Sequence, residues 1–388
     1  MISGAKRIEK VEEYYFSRKL AEVRKLDSPE RRIINLGIGS PDLAPSAETI
    51  EALHESASNP ANHGYQNYKG VPALREAIAG FNKRTYNVTL DPENQILPLM
   101  GSKEGIMHIS LAFVNEGDKV LIPDPGYPTY SSVASLVGAD IQTYTLCEDL
   151  GWKIDLEALR RQDLSTVKIM WINFPHMPTG AVASRDDFKE LVAIAKENNF
   201  LLVNDNPYSL ILNDEPMSIL SVEGAMEVAL ELNSLSKSHN MAGWRIGWLA
   251  GSKAHVDMVL RVKSNMDSGM FLGLQHAAIK ALDHGESWFK SQDQIYKARK
   301  IAAEKILFEL GCTWTSRQSG LFLWAKAPDS ISDVEKWLDT YLYGAGVFIT
   351  PGFIFGESGA RYIRISLCAS EAKLDEALQR IQLMKKIS

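Results

Sequence analysis

Lys237 lies in the run Ser234-Leu-Ser-Lys237-Ser-His-Asn-Met-Ala-Gly243-Trp-Arg245. The run offers one amine, a hydroxyl three residues before it and a guanidinium eight residues after it. A lysine amine forms an imine with an aldehyde, and an aldehyde cofactor that carries a phosphate needs an anion clamp close by. Serine and arginine suit that task, because arginine presents a fixed fork of donors to phosphate oxygens. Taken alone, the same run also reads as two strands joined by a polar turn with a surface lysine. Upstream, the apolar run Phe200 to Val203 reads as a buried strand ending at Asp205, and Pro207 stops it. A carboxylate at the C-terminal end of a buried parallel strand stands where α/β proteins place ligand contacts. It could pair with a protonated ring nitrogen and make that ring an electron sink. Tyr208, three residues on, could donate to a phenolic oxygen of the same ring; the plainer alternative is a turn aspartate beside a half-buried tyrosine.

These side chains need a frame, and the rest of the chain describes one. At 388 residues it is too long for one ordinary core and suits two domains. Apolar content of 45% with 23% charged residues is that of a globular protein. The net charge of -6, from 42 basic and 48 acidic residues, argues against a nucleic-acid surface. The three cysteines (Cys147, Cys312, Cys368) and eight scattered histidines show neither disulfide nor metal-ligand spacing, so no metal is expected. No apolar signal core opens the chain and no apolar run approaches about 20 residues, so the expected compartment is the cytoplasm. Residues 5 to 28, with Ile8, Val11, Tyr14, Tyr15, Leu20 and Val23, read as an amphipathic helix. A short strand from Ile33 then runs into the loop Gly39-Ser-Pro41-Asp42. From about 95 to 252, strands (Lys119–Pro123, Ile141–Leu146, Val167–Asn173, Phe200–Val203, Val228–Leu232, Arg245–Ala250) alternate with helical stretches. That alternation predicts an α/β fold with a mostly parallel mixed sheet flanked by helices. Beyond about 285 a long helix (Gln292 to Leu310), strands at Leu321–Ala325 and Tyr362–Leu367 and a closing helix read as a smaller α+β domain. The expected division is a large cofactor-binding domain over 46–284 and a small domain made of 1–45 and 285–388.

Together these residues resemble the pyridoxal-phosphate-dependent aminotransferases of fold type I, class I/II, the aspartate-aminotransferase-like group. The resemblance runs from about Asn35 to Leu367. It implies a cofactor-binding Lys237, a ring-nitrogen partner Asp205, an O3′ donor Tyr208, and phosphate ligands Ser234 and Arg245. The turn Gly101-Ser102-Lys103-Glu104-Gly105 precedes an apolar helical pattern, with Ser102 reading as the N-cap. A helix N-terminus is a ready phosphate seat, and the family places one here, on Ser102 and Lys103. In Pro123-Asp-Pro125-Gly126-Tyr127-Pro128-Thr-Tyr130, the match to the family's ring-stacking aromatic is Tyr127; Tyr130 reads as a core tyrosine. Gly64-Tyr65-Gln-Asn-Tyr68-Lys69-Gly70 resembles the segment whose first tyrosine reaches a neighbouring subunit's phosphate, which implies a homodimer with Tyr65 acting across it.

Two further segments address the substrate. In Arg361-Tyr362-Ile-Arg364-Ile-Ser366, Arg364 is flanked by isoleucines, where a guanidinium is costly unless an anion meets it. The family's α-carboxylate arginine maps onto Arg364, and Gly39 would add a backbone contact. Asn173 opens Asn173-Phe-Pro-His176-Met177-Pro178-Thr-Gly180 and is a candidate substrate contact. The family commonly has asparagine where this chain has Met177, and a thioether donates no hydrogen bond.

The expected activity is transfer of an amino group from an amino acid to a 2-oxo acid, with glutamate and 2-oxoglutarate as one pair, by a ping-pong mechanism. Lys237 would move the proton between the substrate Cα and the cofactor. A β-lyase or other non-transaminating enzyme of the same fold is the alternative. A cofactor-sensing transcription regulator would need a DNA-binding domain that the roughly 30 residues before Ile33 do not hold. The donor stays open, because Ser264-Asn265-Met-Asp267-Ser268-Gly269 resembles a stretch shared by alanine-, aspartate- and diaminopimelate-type members.

Overall fold

A computed structural model describes residues 2–9, 11 and 15–387. Its centre is an eight-stranded sheet made of β1 (Ile96–Leu99), β2 (Lys119–Asp124), β3 (Asp140–Cys147), β4 (Lys153–Ile154), β5 (Val167–Ile172), β6 (Leu201–Asp205), β7 (Ala229–Ser234) and β8 (Gly247–Gly251). The spatial order is β1-β8-β7-β6-β5-β2-β3-β4. Strands β7, β6, β5, β2 and β3 pair in parallel, whereas β8 runs against both its neighbours and β4 against β3. Every residue of β6 is buried, as is every residue of β7. Helices cover both faces, which is why Leu201 to Val203 is a continuous apolar run and why Asn204, Glu231 and Asn233 are buried with hydrogen bonds to one another.

The strands lie close to where the sequence places them, with one informative difference. The last one starts at Gly247, not Arg245, because Arg245 sits in the left-handed region at φ 56° and turns the chain before pairing begins. The long C-terminal helix begins at Glu286, a turn and a half earlier than the apolar pattern suggests, and ends at Glu309. The amphipathic stretch at the start is two helices, Lys6–Glu9 and Tyr15–Leu26; Tyr14 lies outside the described residues.

A second sheet has three antiparallel strands, β9 (Phe322–Lys326), β10 (Thr350–Pro351) and β11 (Tyr362–Ser366), with β11 in the middle. The pair Ile34–Asn35 and Val347–Phe348 ties the start of the chain to this region. No described helix is long and apolar enough to cross a membrane.

Candidate active site

The parallel strands deliver their last residues to one rim. Asp124 ends β2, Asn173 follows β5, Asp205 ends β6 and Ser234 ends β7. A cavity of about 430 Å³ opens there, bounded on the other side by Gly39, Phe322, Phe355 and Arg364. Of the residues picked out by sequence, it brings together Gly39, Ser102, Lys103, Tyr127, Asn173, Asp205, Tyr208, Ser234, Lys237, Arg245 and Arg364. Tyr65 does not join them: in the single chain it is 94% exposed.

Lys237 belongs to a one-turn helix, Leu235–Ser238, which Ser234 caps by accepting from the Ser236 N–H at 3.1 Å. The Lys237 amine donates to the Gly39 carbonyl. Burial lowers its pKa, and the Arg364 and Arg245 charges push the same way, while Asp205 and the Cys368 thiol oppose them. An amine so placed is more readily neutral than a surface lysine.

Asp205 is buried, and desolvation pushes its carboxyl up to about 6, tempered by the hydroxyls of Tyr130 and Ser102 and by the Lys237 charge. The Tyr130 hydroxyl donates to Oδ2 at 3.0 Å. Oδ1 accepts no hydrogen bond among the described residues. Tyr130 is thus not the plain core tyrosine the sequence suggests. It packs in the core, stacked on Trp171 at 5.3 Å, and its hydroxyl reaches the site. Its spacing behind Tyr127 on the helix Thr129–Val137 carries no signal of that. Asn173 braces the rim: its side-chain N–H donates to the Asp205 carbonyl, and its oxygen accepts from the Met177 N–H at 2.9 Å.

The anion end is built from backbone. The helix Ser102–Phe113 is capped by Gly101 rather than Ser102, since only glycine tolerates φ 88° easily. A Cβ on Gly101 would stand 2.1 Å from Arg245 Nη2. The guanidinium is therefore laid across the helix N-terminus, where it also donates to the Ser236 hydroxyl at 3.3 Å. Ser236 escaped the sequence reading because nothing separates it from its neighbours Ser234 and Ser238.

On the other side, Arg364 in β11 donates to the Gly37 carbonyl at 2.8 Å and to Met177 Sδ at 3.2 Å. Phe322 and Phe355 stack on it, and Phe16 lies further out. Arg361, by contrast, donates to the carbonyls of Ile331 and Pro328, a structural use. Asp124 at the end of β2 accepts from the N–H and the hydroxyl of Ser358, both at 3.1 Å, and Gly126 N–H donates to the Phe355 carbonyl at 2.6 Å. The loop that carries Phe355 is thereby tied to the large sheet. Elsewhere, Glu104, His108 and Asp267 bring ligand atoms within 4.8 Å of one another, but Lys263 already lends Asp267 an ammonium at 2.7 Å.

Two features test whether these groups suit a phosphate-bearing pyridine aldehyde. The bare, buried Asp205 Oδ1 is placed for a ring N–H. The missing Cβ atoms of Gly101 and Gly247 let the anion donors close in on the helix end: one on Gly101 would collide with Arg245, and one on Gly247 would meet the Asn233 carbonyl oxygen at 2.6 Å and the Ser102 nitrogen at 3.0 Å. They fit.

Comparison with known proteins agrees. Residues 31–381 match the family model for aminotransferase class I and II. An LL-diaminopimelate aminotransferase of Oleidesulfovibrio alaskensis is 40% identical over 352 residues, 90% of each chain. One from Dehalococcoides mccartyi is 37% identical over 386 residues, 98% of each. The apo structure of BacF from Bacillus subtilis superposes with a TM-score of 0.94 at 36% identity, covering 99% of this chain and 98% of that one.

Proposed function

We infer the reaction from one premise: the chain belongs to the aminotransferase class I and II family and is a pyridoxal-phosphate-dependent aminotransferase. On that premise it moves the amino group of an amino acid to a 2-oxo acid in two half-reactions, and the first product leaves before the acceptor arrives. The observation that carries this is one cavity in which a half-buried amine, a buried carboxylate with a bare oxygen and a ring-stacked guanidinium meet.

Pyridoxal phosphate, when bound, supplies an aldehyde carbon for the amine and a cationic ring that draws electrons from the substrate Cα. This chain's residues do the rest. Arg245, Ser234, Ser236 and the N–H groups of Ser102 and Lys103 hold the phosphate. Asp205, whose carboxyl burial pushes up to about 6 in the cofactor-free chain, would pair with the ring nitrogen, and that cation would favour its ionised form. Tyr127 and Tyr208 line the same cavity; the first would cover the ring and the second would donate to its phenolic oxygen. Arg364 clamps the substrate carboxylate with Gly37 and Asn173 steadying the loops around it. Lys237, its pKa lowered, takes and returns the proton at the substrate Cα. The large unit is 46–284 and the small one 1–45 with 285–388, so the site lies between the two.

The working form is a homodimer in which Tyr65 reaches the neighbouring phosphate. The near-complete exposure of Tyr65, with exposed Met266 and Phe271 nearby on the loop packed against residues 66 and 67, supports it. Three free cysteines support the cytoplasm, where thiols stay reduced. The test is steady-state kinetics with an amino donor and 2-oxoglutarate, the expected acceptor. Parallel double-reciprocal lines and stoichiometric glutamate support the reading. Release of ammonia without glutamate would mean an elimination enzyme instead.

A further inference from the structure

The connection between β10 and β11, residues 352–361, leaves the small sheet and touches the end of β2 in the large one. Two short helical turns, Gly352–Phe355 and Glu357–Gly359, make it compact. Asp124 Oδ1 accepts the Ser358 N–H and Oδ2 accepts the Ser358 hydroxyl, each at 3.1 Å. Two residues on, the Gly126 N–H donates to the Phe355 carbonyl at 2.6 Å. Gly356, next to Phe355, has φ 135°, and a Cβ there would stand 2.0 Å from Asp124 Oδ1. The loop reaches the carboxylate because it carries no side chain at that point.

What the loop carries is a support for Arg364, the carboxylate clamp proposed above. Phe355 is buried and edge-on to Trp324, with 5.9 Å between ring centres. Its own ring centre lies 4.6 Å from the Arg364 guanidinium carbon. A guanidinium is drawn to an aromatic face, so the place of the ring biases the direction of the Arg364 fork. A carboxylate takes two parallel bonds from such a fork only within a narrow range of directions. The ring is fixed at its own carbonyl by Gly126 and, three residues on, by Asp124. Burial pushes the half-buried Asp124 carboxyl above the usual carboxylate range, and the bonds from Ser358 oppose that push.

Resting on the aminotransferase reading above, we propose that Asp124 is a positioning residue for the substrate's α-carboxylate. Through Ser358 it fixes the loop, through the loop Phe355, and through Phe355 the Arg364 fork. It acts from outside the described cavity lining, so it serves substrate binding and not proton transfer.

The test is a double-mutant cycle on the cofactor-loaded enzyme, with the binding of glutarate, an unreactive dicarboxylate, read by calorimetry. Asp124→Ala is expected to weaken glutarate about 10-fold, less than the loss of a charged bond made to the ligand itself, and Ser358→Ala about 3-fold. Asp124→Asn, which keeps one acceptor, should fall between native and Asp124→Ala. Phe355→Ala should also weaken glutarate, and adding Asp124→Ala to it should cost under about 2-fold more, because the path is already cut. In turnover, Asp124→Ala should raise KM for the amino acid and for 2-oxoglutarate while kcat stays within about 2-fold of native. Cofactor affinity, read by equilibrium dialysis, should hold. Melting curves check that each variant is folded; if Asp124→Ala is not, Asp124→Asn and Ser358→Ala carry the cycle. Additive losses, native-like glutarate binding in the Asp124 variants, a fall in kcat with KM unchanged, or an equal loss of cofactor affinity overturns the proposal. A native enzyme that binds no glutarate removes the clamp and the proposal with it. If the cycle is non-additive but the native enzyme transfers no amino group, the aminotransferase reading fails and the role of Asp124 stands.

Discussion

The floor of the cavity and its outer wall are built on opposite plans. The floor is made of polar residues at the ends of adjacent strands, each within a few residues of a turn: Asp205, Ser234 and, one turn on, Lys237. Its energetics are electrostatic, with a carboxyl pushed up, an amine pushed down and a guanidinium laid on a helix end. The wall collects Phe16, Met177, Phe322, Phe355 and Arg364 from distant segments and works by packing. The difference teaches that the polar end of the cavity is set by local geometry here, while its apolar end is a property of tertiary assembly.

If that division holds, substitutions in the two regions fail differently. Lys237→Ala should remove turnover by about four orders of magnitude, the scale of a lost acid/base group, with the melting temperature little changed. Borohydride should trap the cofactor on Lys237 of the native enzyme; an adduct on another lysine would dissolve the floor as described. Arg364→Ala should cost carboxylate ligands roughly 2–5 kcal/mol while leaving simple amines nearly unaffected. Equal losses in calorimetric titrations of the two ligand kinds would make Arg364 a floor-like structural charge.

A third test uses pH. Asp205 binds its proton more tightly folded, at about 6, than unfolded, near 3.8. Its contribution favours the folded state below 3.8 and is lost as the pH rises through about 6. The cofactor-free protein should therefore lose up to about 3 kcal/mol from this group across that window, and Asp205→Asn should flatten the profile. An unchanged denaturant-midpoint profile in Asp205→Asn would show that the floor carries no such strain. Smallest is Gly101→Ala. It must adopt φ 88° and displace Arg245, costing roughly 1–3 kcal/mol and weakening cofactor affinity, which equilibrium dialysis reads. A wall residue should leave cofactor affinity alone, so a similar loss in Ile354→Ala would blur the comparison.

What the sequence disclosed follows the same line. Asp205 could be picked out because an apolar run stopped by proline marks a rim, and Lys237 with Arg245 because an amine with a hydroxyl and a guanidinium at that spacing suits an anion-bearing aldehyde. Arg364 was legible because a cation between isoleucines needs a reason. Tyr130 was not, since its hydroxyl reaches Asp205 across 75 residues of chain. Phe16, Phe322 and Phe355 were not, because an aromatic that lines a cavity has the same local pattern as one that fills a core. The cap falls on Gly101 and not on Ser102: serine is the commoner cap, and the two reasons for glycine, a φ of 88° and the closeness of Arg245 from far along the chain, are tertiary.

The tie between the loop of Phe355 and the large sheet has a consequence for how such a protein can diverge. Asp124 grips the amide and hydroxyl of Ser358, and Gly126 grips the carbonyl of Phe355. Neither grip depends on the side chains at 354 and 355. Mutation can exchange those two while the loop keeps its place and the catalytic floor is left untouched.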